Sequence, residues 1–432
     1  MKFIIKKTLQ LQGETTPVGS KSQSIRALFL SLLSEGESII ENILHSEDTQ
    51  DAINICKSLG AKISVSDTKI IVHSTGLPIK PLSTEINSGN SGITTRFVMP
   101  ILGLRQKTEE PIILNCGEQM RARPIKALVD ALRNLGLTIK YLNHEDLLPI
   151  AISGQLSGGI TDVNGLTSQF LSALLIALPC AQNNSEVKVN DLHERPYAEM
   201  TLDWLKQQNI QFNHDATDDT DTYCIQGNQR YKNFHTKISA DFSSASYLIA
   251  AAALTLSEVI LTGVTLSDPQ GDKRLVYLLQ EMGADIIIEP NRLIIHGGKP
   301  LTGIKIDAND IPDLLPTLAV IGTYAQGKTE IYNVEQARIK ETDRIHSMSE
   351  GLSLLGAKIE EHHDGMSIYH SKLQGACVKG YGDHRTVMAL SIAGMLADGT
   401  TIIDDAEAID KTFPTFLKQM QELGAQIKTQ ND

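Results

Sequence analysis

Between positions 338 and 344 the chain reads Arg338-Ile339-Lys340-Glu341-Thr342-Asp343-Arg344, five charged side chains of both signs in seven positions. The stretch lies where a sheet-like run, Thr329-Glu330-Ile331-Tyr332, gives way to a helix-like one. Cations flanking a carboxylate at a helix start could hold an anion while passing it a proton, because they bind its charge and set the proton affinity of the acid. The same pattern also suits a solvated face, where opposed charges simply meet water. The rest of the chain decides between these readings.

Comparable residues recur along the chain. Lys21-Ser22-Gln23-Ser24-Ile25-Arg26, Gly89-Asn90-Ser91-Gly92, Thr167-Ser168-Gln169, Ser243-Ser244, Asp313 and Asp383-His384-Arg385 each head a strongly apolar run. Arg123-Pro124, Pro196-Tyr197, Asp272-Lys273-Arg274 and Lys411-Thr412 head a second kind of segment. Helix N-termini present free N–H groups and the positive end of the dipole, so several aimed at one place would bind a polyanion. Serine and threonine cap helices everywhere, and proline suits the first turn. Arginine or lysine at a helix start is different: it opposes the dipole and calls for a compensating anion.

The elements carrying these residues repeat. One series has apolar residues at helical spacing, as in Ala52, Ile55, Cys56 and Leu59, and ends at Gly60, Gly136, Asn209, Gly283, Gly356 and Gly424, 68 to 76 residues apart. Glycine, or next best asparagine, fits the left-handed position that stops a helix. Strand-like runs follow, such as Lys62-Ile63-Ser64-Val65. The second series begins near Ser22, Ser91, Ser168, Ser244, Asp313 and Asp383, 69 to 77 residues apart, and its helices are apolar nearly all round, which requires burial. Six such units predict an α/β protein of two domains with three units each: 20–238 as one domain, 1–19 with 239–432 as the other. The join falls near Lys237-Ile238-Ser239-Ala240, and the leading strand belongs with the second domain.

Composition narrows the function. The chain has 432 residues, 41% hydrophobic and 21% charged, with a formal net charge of −12. That balance opposes a nucleic-acid or anionic-membrane surface, though a local cationic pocket for a small anion remains compatible with it. Cys56, Cys116, Cys180, Cys224 and Cys377 show no metal-ligand spacing and read as free thiols in a reducing compartment. The start, Met1-Lys2-Phe3-Ile4-Ile5-Lys6-Lys7, is too short an apolar run for a signal peptide, and no stretch is long enough to span a membrane, so a cytoplasmic protein is expected. Gly19-Ser20-Lys21-Ser22 lacks the adjacent Gly-Lys of a phosphate loop, Asp383-His384-Arg385 has no partner spacing for a metal or a triad, and His362-His363 reads as surface.

Taken in order, the segments resemble the 5-enolpyruvylshikimate-3-phosphate synthase family of enolpyruvyl transferases over essentially the whole chain. The matching stretches are Gly19-Ser20-Lys21-Ser22 with Arg26, Gly89-Asn90-Ser91-Gly92 with Arg96, Arg123-Pro124-Ile125, Thr167-Ser168-Gln169-Phe170 and Pro196-Tyr197. They continue with Asp241 through Tyr247, Ile311-Pro312-Asp313, Arg338 to Arg344, Asp383-His384-Arg385 and Lys411-Thr412-Phe413-Pro414. The resemblance implies a two-domain inside-out α/β barrel of six βαβαββ repeats, closing around substrate between the domains. It implies transfer of the enolpyruvyl group of phosphoenolpyruvate to the 5-hydroxyl of shikimate 3-phosphate, with no metal or cofactor, by a monomer that binds no nucleic acid or membrane. Lys21, Ser22, Arg26, Thr167, Ser168, Gln169, Tyr197, Asp313, Gln336 and Lys340 would bind shikimate 3-phosphate. Lys21, Gly92, Arg123, Gln169, Arg344, Arg385 and Lys411 would hold phosphoenolpyruvate. The catalytic set would be Lys21, Asp313, Glu341, His384 and Lys411, with Glu341 and Lys21 as proton donors and Asp313 as base. The two substrates bring about six negative charges, which the seven cations of the clamp answer.

Several positions depart from the family pattern. Glu194 stands where a serine usually contacts the acceptor's phosphate; a carboxylate about 4 Å from a phosphate charge would cost roughly 4 kcal/mol per charge pair at an effective dielectric near 20. Either Glu194 points away, toward Arg195 or His193, or the acceptor differs from shikimate 3-phosphate. Gln336 replaces an asparagine, Thr167 a serine and Ile25 an asparagine, and Val18 enlarges the turn before Gly19. Ile93 and Phe97 replace a threonine and a proline beside Gly92, changes associated in the family with weak glyphosate binding. Competing readings are the sister enzyme acting on a UDP-amino sugar, for which Cys116 would be the loop cysteine, another phosphorylated acceptor, and an RNA-end-processing or binding protein on a related fold. Cys116 reads better as the end of a strand, and the acidic net charge opposes RNA.

Overall fold

The computed structural model describes residues 1–106, 110–217 and 220–431. Six four-stranded sheets share one plan. Each repeat runs strand, helix, strand, helix, strand, strand, and its sheet places the strands in the order first, second, fourth, third. Glu85–Asn87 runs parallel to Ile112–Asn115, which pairs antiparallel with Ile150–Gly154, itself antiparallel to Leu137–Tyr141. The parallel step needs a crossover, and the buried helix Gly92–Ile101 supplies it.

Three repeats borrow a strand from far along the chain. Lys2–Lys6 completes the sheet of Thr400–Ile403 and Ile427–Gln430, and Gln10–Thr15 runs parallel to Leu256–Thr262. His235–Lys237 in turn runs parallel to Glu35–Glu41. The chain accordingly forms two compact units, Ser20–Ile238 and Met1–Gly19 with the chain from Ser239 onward, each carrying three of the sheets. The architecture is the two-domain, six-repeat α/β fold.

Helix composition explains the layering. Every residue of Gly92–Ile101 and of Phe242–Leu254 is buried, as is all of His384–Leu396 except its last residue. Such helices have no polar face to turn to water and must be walled in. In the second unit Phe242–Leu254, Leu315–Tyr324 and His384–Leu396 pack on one another, inside the sheets. The other series is amphipathic: Lys126–Asn134 buries Leu128, Val129, Ala131 and Leu132 and leaves its opposite face exposed. Its helices end where φ turns positive, between 90° and 108° at Gly60, Gly136, Gly283, Gly356 and Gly424, and 57° at Asn209. No helix among the described residues is long and apolar enough to cross a membrane.

Candidate functional site

In the unit Ser20–Ile238, hydroxyls cap the starts of the buried helices. Ser20, Ser91 and Thr167 accept from the backbone N–H groups of Gln23, Thr94 and Gln169, each at 3.4 Å. A neutral cap satisfies one N–H but brings no counter-charge of its own to the positive helix end. Lys21 lies at one such start, its Nζ donating to Asp48 Oδ2 at 3.0 Å. Gly92 opens the next, where an added Cβ would stand 2.6 Å from Nη1 of Arg123, so glycine is what lets that guanidinium lie against the helix start. Arg96, one turn on, donates to Gln169 Oε1 at 2.5 Å, tying the second helix start to the third.

Arg26 works as a brace. It is 1% exposed and donates to the Ser22 carbonyl at 3.0 Å, the Tyr197 carbonyl at 2.7 Å, Thr201 Oγ1 at 2.9 Å and Ser172 Oγ at 3.2 Å. Burial pushes its pKa down to about 9, partly offset by Tyr197. Its guanidinium also lies over the Phe97 ring, 5.4 Å from the centroid, and Phe97 meets Phe29 edge-on.

Of the two courses open to Glu194, pointing away is not the one taken: its carboxylate turns into the helix start at Ser168. Its Oε2 accepts from Thr167 Oγ1 at 3.3 Å, Ser168 N at 3.3 Å and Ser168 Oγ at 3.0 Å. Arg195 instead makes a two-pronged pair with Asp221, at 2.8 and 2.7 Å.

In the unit from Ser239 onward, carboxylates take the capping role. Asp241, Asp343 and Asp383 accept from Ser244, His346 and Arg385 N–H groups at 2.9, 3.0 and 2.9 Å. Asp383 also receives Arg344 Nε at 2.8 Å, while Arg344 donates to Asp313 at 2.8 Å and to Glu341 at 2.6 Å. Asp313 takes Arg385 on its other oxygen at 2.7 Å. Burial alone would loosen the proton of the 1%-exposed Arg344, yet Asp383, Glu341 and Asp313 hold it well above the ordinary arginine range. Asp272, buried nearby, is raised to about 7, first by desolvation and then by Asp313; Ser243 Oγ donates to it.

The charged stretch that begins at 338 resolves into parts. Arg338 binds Asp343 at 2.7 Å, Glu361 at 3.0 Å and the carbonyls of His362 and His363, so it locks the helix cap onto a hairpin. Lys340 and Glu341, both partly exposed, precede the helix Arg344–Leu354 rather than opening it. Gln336 is buried and donates to the Asn309 carbonyl at 2.9 Å. Lys411, 5% exposed, closes the short 3-10 turn Ala406–Lys411, and the following helix begins only at Phe416. His384 is fully buried with its ring nitrogen 3.5 Å from Asp383 Oδ1.

Asp48 and Asp51 were not singled out as site residues in the sequence. Asp48 lies in the first turn of the helix Glu47–Ser58, where an acidic residue ordinarily complements the dipole, which conceals it. Asp51 accepts from the Ser91 N–H at 3.3 Å, and its pKa is raised to about 6, first by desolvation and then by Asp48. Cys116 is buried just past the strand Ile112–Asn115, and burial raises its thiol pKa, the opposite of an acidified loop nucleophile. No cluster among the described residues has the makings of a metal site.

A model of the family EPSP synthase (3-phosphoshikimate 1-carboxyvinyltransferase) matches residues 5–420. The 3-phosphoshikimate 1-carboxyvinyltransferase of Acetivibrio thermocellus is 43% identical over 418 residues, 96% of this chain and 97% of its own length. That of Methanocaldococcus jannaschii is 38% identical over 430 residues, 99% of each chain. The EPSP synthase structure from Acinetobacter baumannii, 24% identical, has a TM-score of 0.84 over 99% of this chain and 100% of its own, a likeness of fold.

Proposed function

Because the chain belongs to the EPSP synthase (3-phosphoshikimate 1-carboxyvinyltransferase) family, we propose that it transfers the enolpyruvyl group of phosphoenolpyruvate to the 5-hydroxyl of shikimate 3-phosphate, releasing phosphate. The observation that carries the residue-level reading is the network around Arg344, where Glu341 and Asp313 are both held by one buried guanidinium at 2.6 and 2.8 Å. Fixed carboxylates beside fixed cations suit an acid and a base that must act on one anionic substrate pair.

The steps follow from those groups. Asp313 takes the proton of the acceptor's 5-hydroxyl as its oxygen bonds to carbon 2 of phosphoenolpyruvate. Glu341 supplies a proton to carbon 3, which becomes a methyl group, giving an intermediate whose carbon 2 is tetrahedral and carries the ether oxygen, the phosphate oxygen, the carboxylate and the methyl. Loss of a proton from the resulting carbon-3 methyl group, back to Glu341, then expels phosphate as the carbon–oxygen bond breaks and the double bond returns, and the proton taken up by Asp313 passes to the departing phosphate. Arg344 and Arg385 take the carboxylate of phosphoenolpyruvate; Lys21, Arg123 and Lys411, with the close approach that Gly92 allows, take its phosphate. Ser22, Thr167, Ser168, Gln169, Tyr197, Gln336 and Lys340 hold the acceptor, with Arg26 bracing Ser22 and Tyr197. His384 acts through Asp383. The protein would work as a cytoplasmic monomer without metal or cofactor. Phosphate release from phosphoenolpyruvate in the presence of shikimate 3-phosphate tests this reading, and turnover with a UDP-amino sugar instead would overturn the acceptor.

A further inference from the structure

We propose that Glu194 is a specificity-determining residue that fills the acceptor's anion site from within, so that an acceptor phosphate must displace its carboxylate to bind. The inference rests on the reading that Thr167 and Ser168 hold the phosphate of shikimate 3-phosphate.

Three donors meet on one atom. Thr167 Oγ1, Ser168 N and Ser168 Oγ lie 3.3, 3.3 and 3.0 Å from Glu194 Oε2. Ser168 N is the first N–H of the helix Ser168–Ala177, so the carboxylate sits as an anion at a positive helix end. Two hydroxyls and a backbone N–H around one oxygen are what a phosphate oxygen would be offered there. Both anions cannot share that point, on steric grounds and because like charges repel.

Glu194 is placed for this role by its backbone. It precedes the helix Arg195–Gln207 at φ 57° and ψ 35°, and its side chain makes no capping bond to that helix. The side chain reaches instead to the neighbouring helix start, where it is 1% exposed. The flanking chain is pinned: Arg195 is held by Asp221, the His193 N–H donates to the Gly165 carbonyl at 3.0 Å, and the Tyr197 N–H donates to Glu194's own carbonyl at 3.0 Å. The carboxylate therefore leaves by rotating its side-chain torsions, not by moving the loop. A neutral, shorter side chain would leave the three donors open to the ligand, and the apparent affinity loss equals the fraction of time the site is open.

The test is a titration of the whole protein and of Glu194→Ser and Glu194→Gln with shikimate 3-phosphate, its dephosphorylated counterpart and inorganic phosphate, alongside steady-state kinetics. Both variants should bind shikimate 3-phosphate roughly tenfold or more tightly, lowering its KM while the KM for phosphoenolpyruvate moves less than about twofold. Affinity for the dephosphorylated counterpart should barely change. Equal or weaker binding of shikimate 3-phosphate in both variants overturns the proposal. Glu194→Gln keeps the side-chain shape and decides the matter if Glu194→Ser does not fold. If no form turns over shikimate 3-phosphate, the acceptor reading fails on its own account; inorganic phosphate then judges Glu194, tighter binding in the variants upholding the competition and unchanged binding refuting it.

Discussion

Asp313 gives one carboxylate oxygen to Arg344 at 2.8 Å and the other to Arg385 at 2.7 Å. A single carboxylate thus bridges the two guanidiniums proposed to receive the carboxylate of phosphoenolpyruvate. On that proposal Asp313 would stand in for the substrate: each arginine is already aimed, and its burial costs less because a counter-ion is present. An incoming carboxylate that takes over these donors would also free Asp313 to act as a base.

The roles assigned to Lys340 and Glu341 separate chemistry from folding. Both side chains are partly exposed, outside the hydrophobic core, so Glu341→Gln and Lys340→Met should leave the thermal midpoint within a few degrees, on the order of what surface changes cause. Turnover should fall by about 10²- to 10⁴-fold in Glu341→Gln, the span expected when a positioned proton donor is lost. A Glu341→Gln enzyme with near-normal kcat and a raised KM alone would contradict its role as the acid.

Asp51 should leave a mark on stability. Its pKa is raised from 3.8 to about 6, by desolvation and then by Asp48, so the folded state holds the proton more tightly than the unfolded chain. Its contribution is therefore most favourable below the unfolded value, is lost as pH rises toward about 6, and stays lost above it. Asp51→Asn should flatten that part of the profile and stabilise the protein near pH 7 by on the order of 1 kcal/mol, a figure reduced for partial exposure. Denaturant midpoints measured from pH 4 to 7 check this; parallel profiles for the two proteins would refute it.

Glyphosate should inhibit weakly. Ile93 and Phe97 are buried on the helix that begins at Gly92, and Phe97 fills space between Phe29 and the Arg26 guanidinium. Bulky residues there fix the first turn of the helix against which Arg123 lies. A submicromolar inhibition constant, competitive with phosphoenolpyruvate, would count against the idea.

Repetition made the fold legible. The six helix stops at Gly60, Gly136, Asn209, Gly283, Gly356 and Gly424 are visible as residue types because a positive φ restricts what can occupy them. The apolar run from Phe170 to Leu178 announces a buried helix because its composition leaves no polar face. The direction of Glu194 was not legible. Arg195 next to it in sequence is claimed by Asp221, and Ser168, far away in sequence, receives the carboxylate. Nor could residue type reveal that Arg338 ties down a hairpin whereas Arg344, six positions on, gathers three carboxylates. Both are arginines in a charged run, and only tertiary contacts separate them.

The central claim is most directly tested by measuring phosphate release from phosphoenolpyruvate as a function of shikimate 3-phosphate, with a UDP-amino sugar in parallel. The account predicts saturable release that depends on shikimate 3-phosphate, yields the enolpyruvyl ether at its 5-hydroxyl, and is absent with the UDP-amino sugar. Release that ignores shikimate 3-phosphate, or occurs only with the UDP-amino sugar, would contradict it.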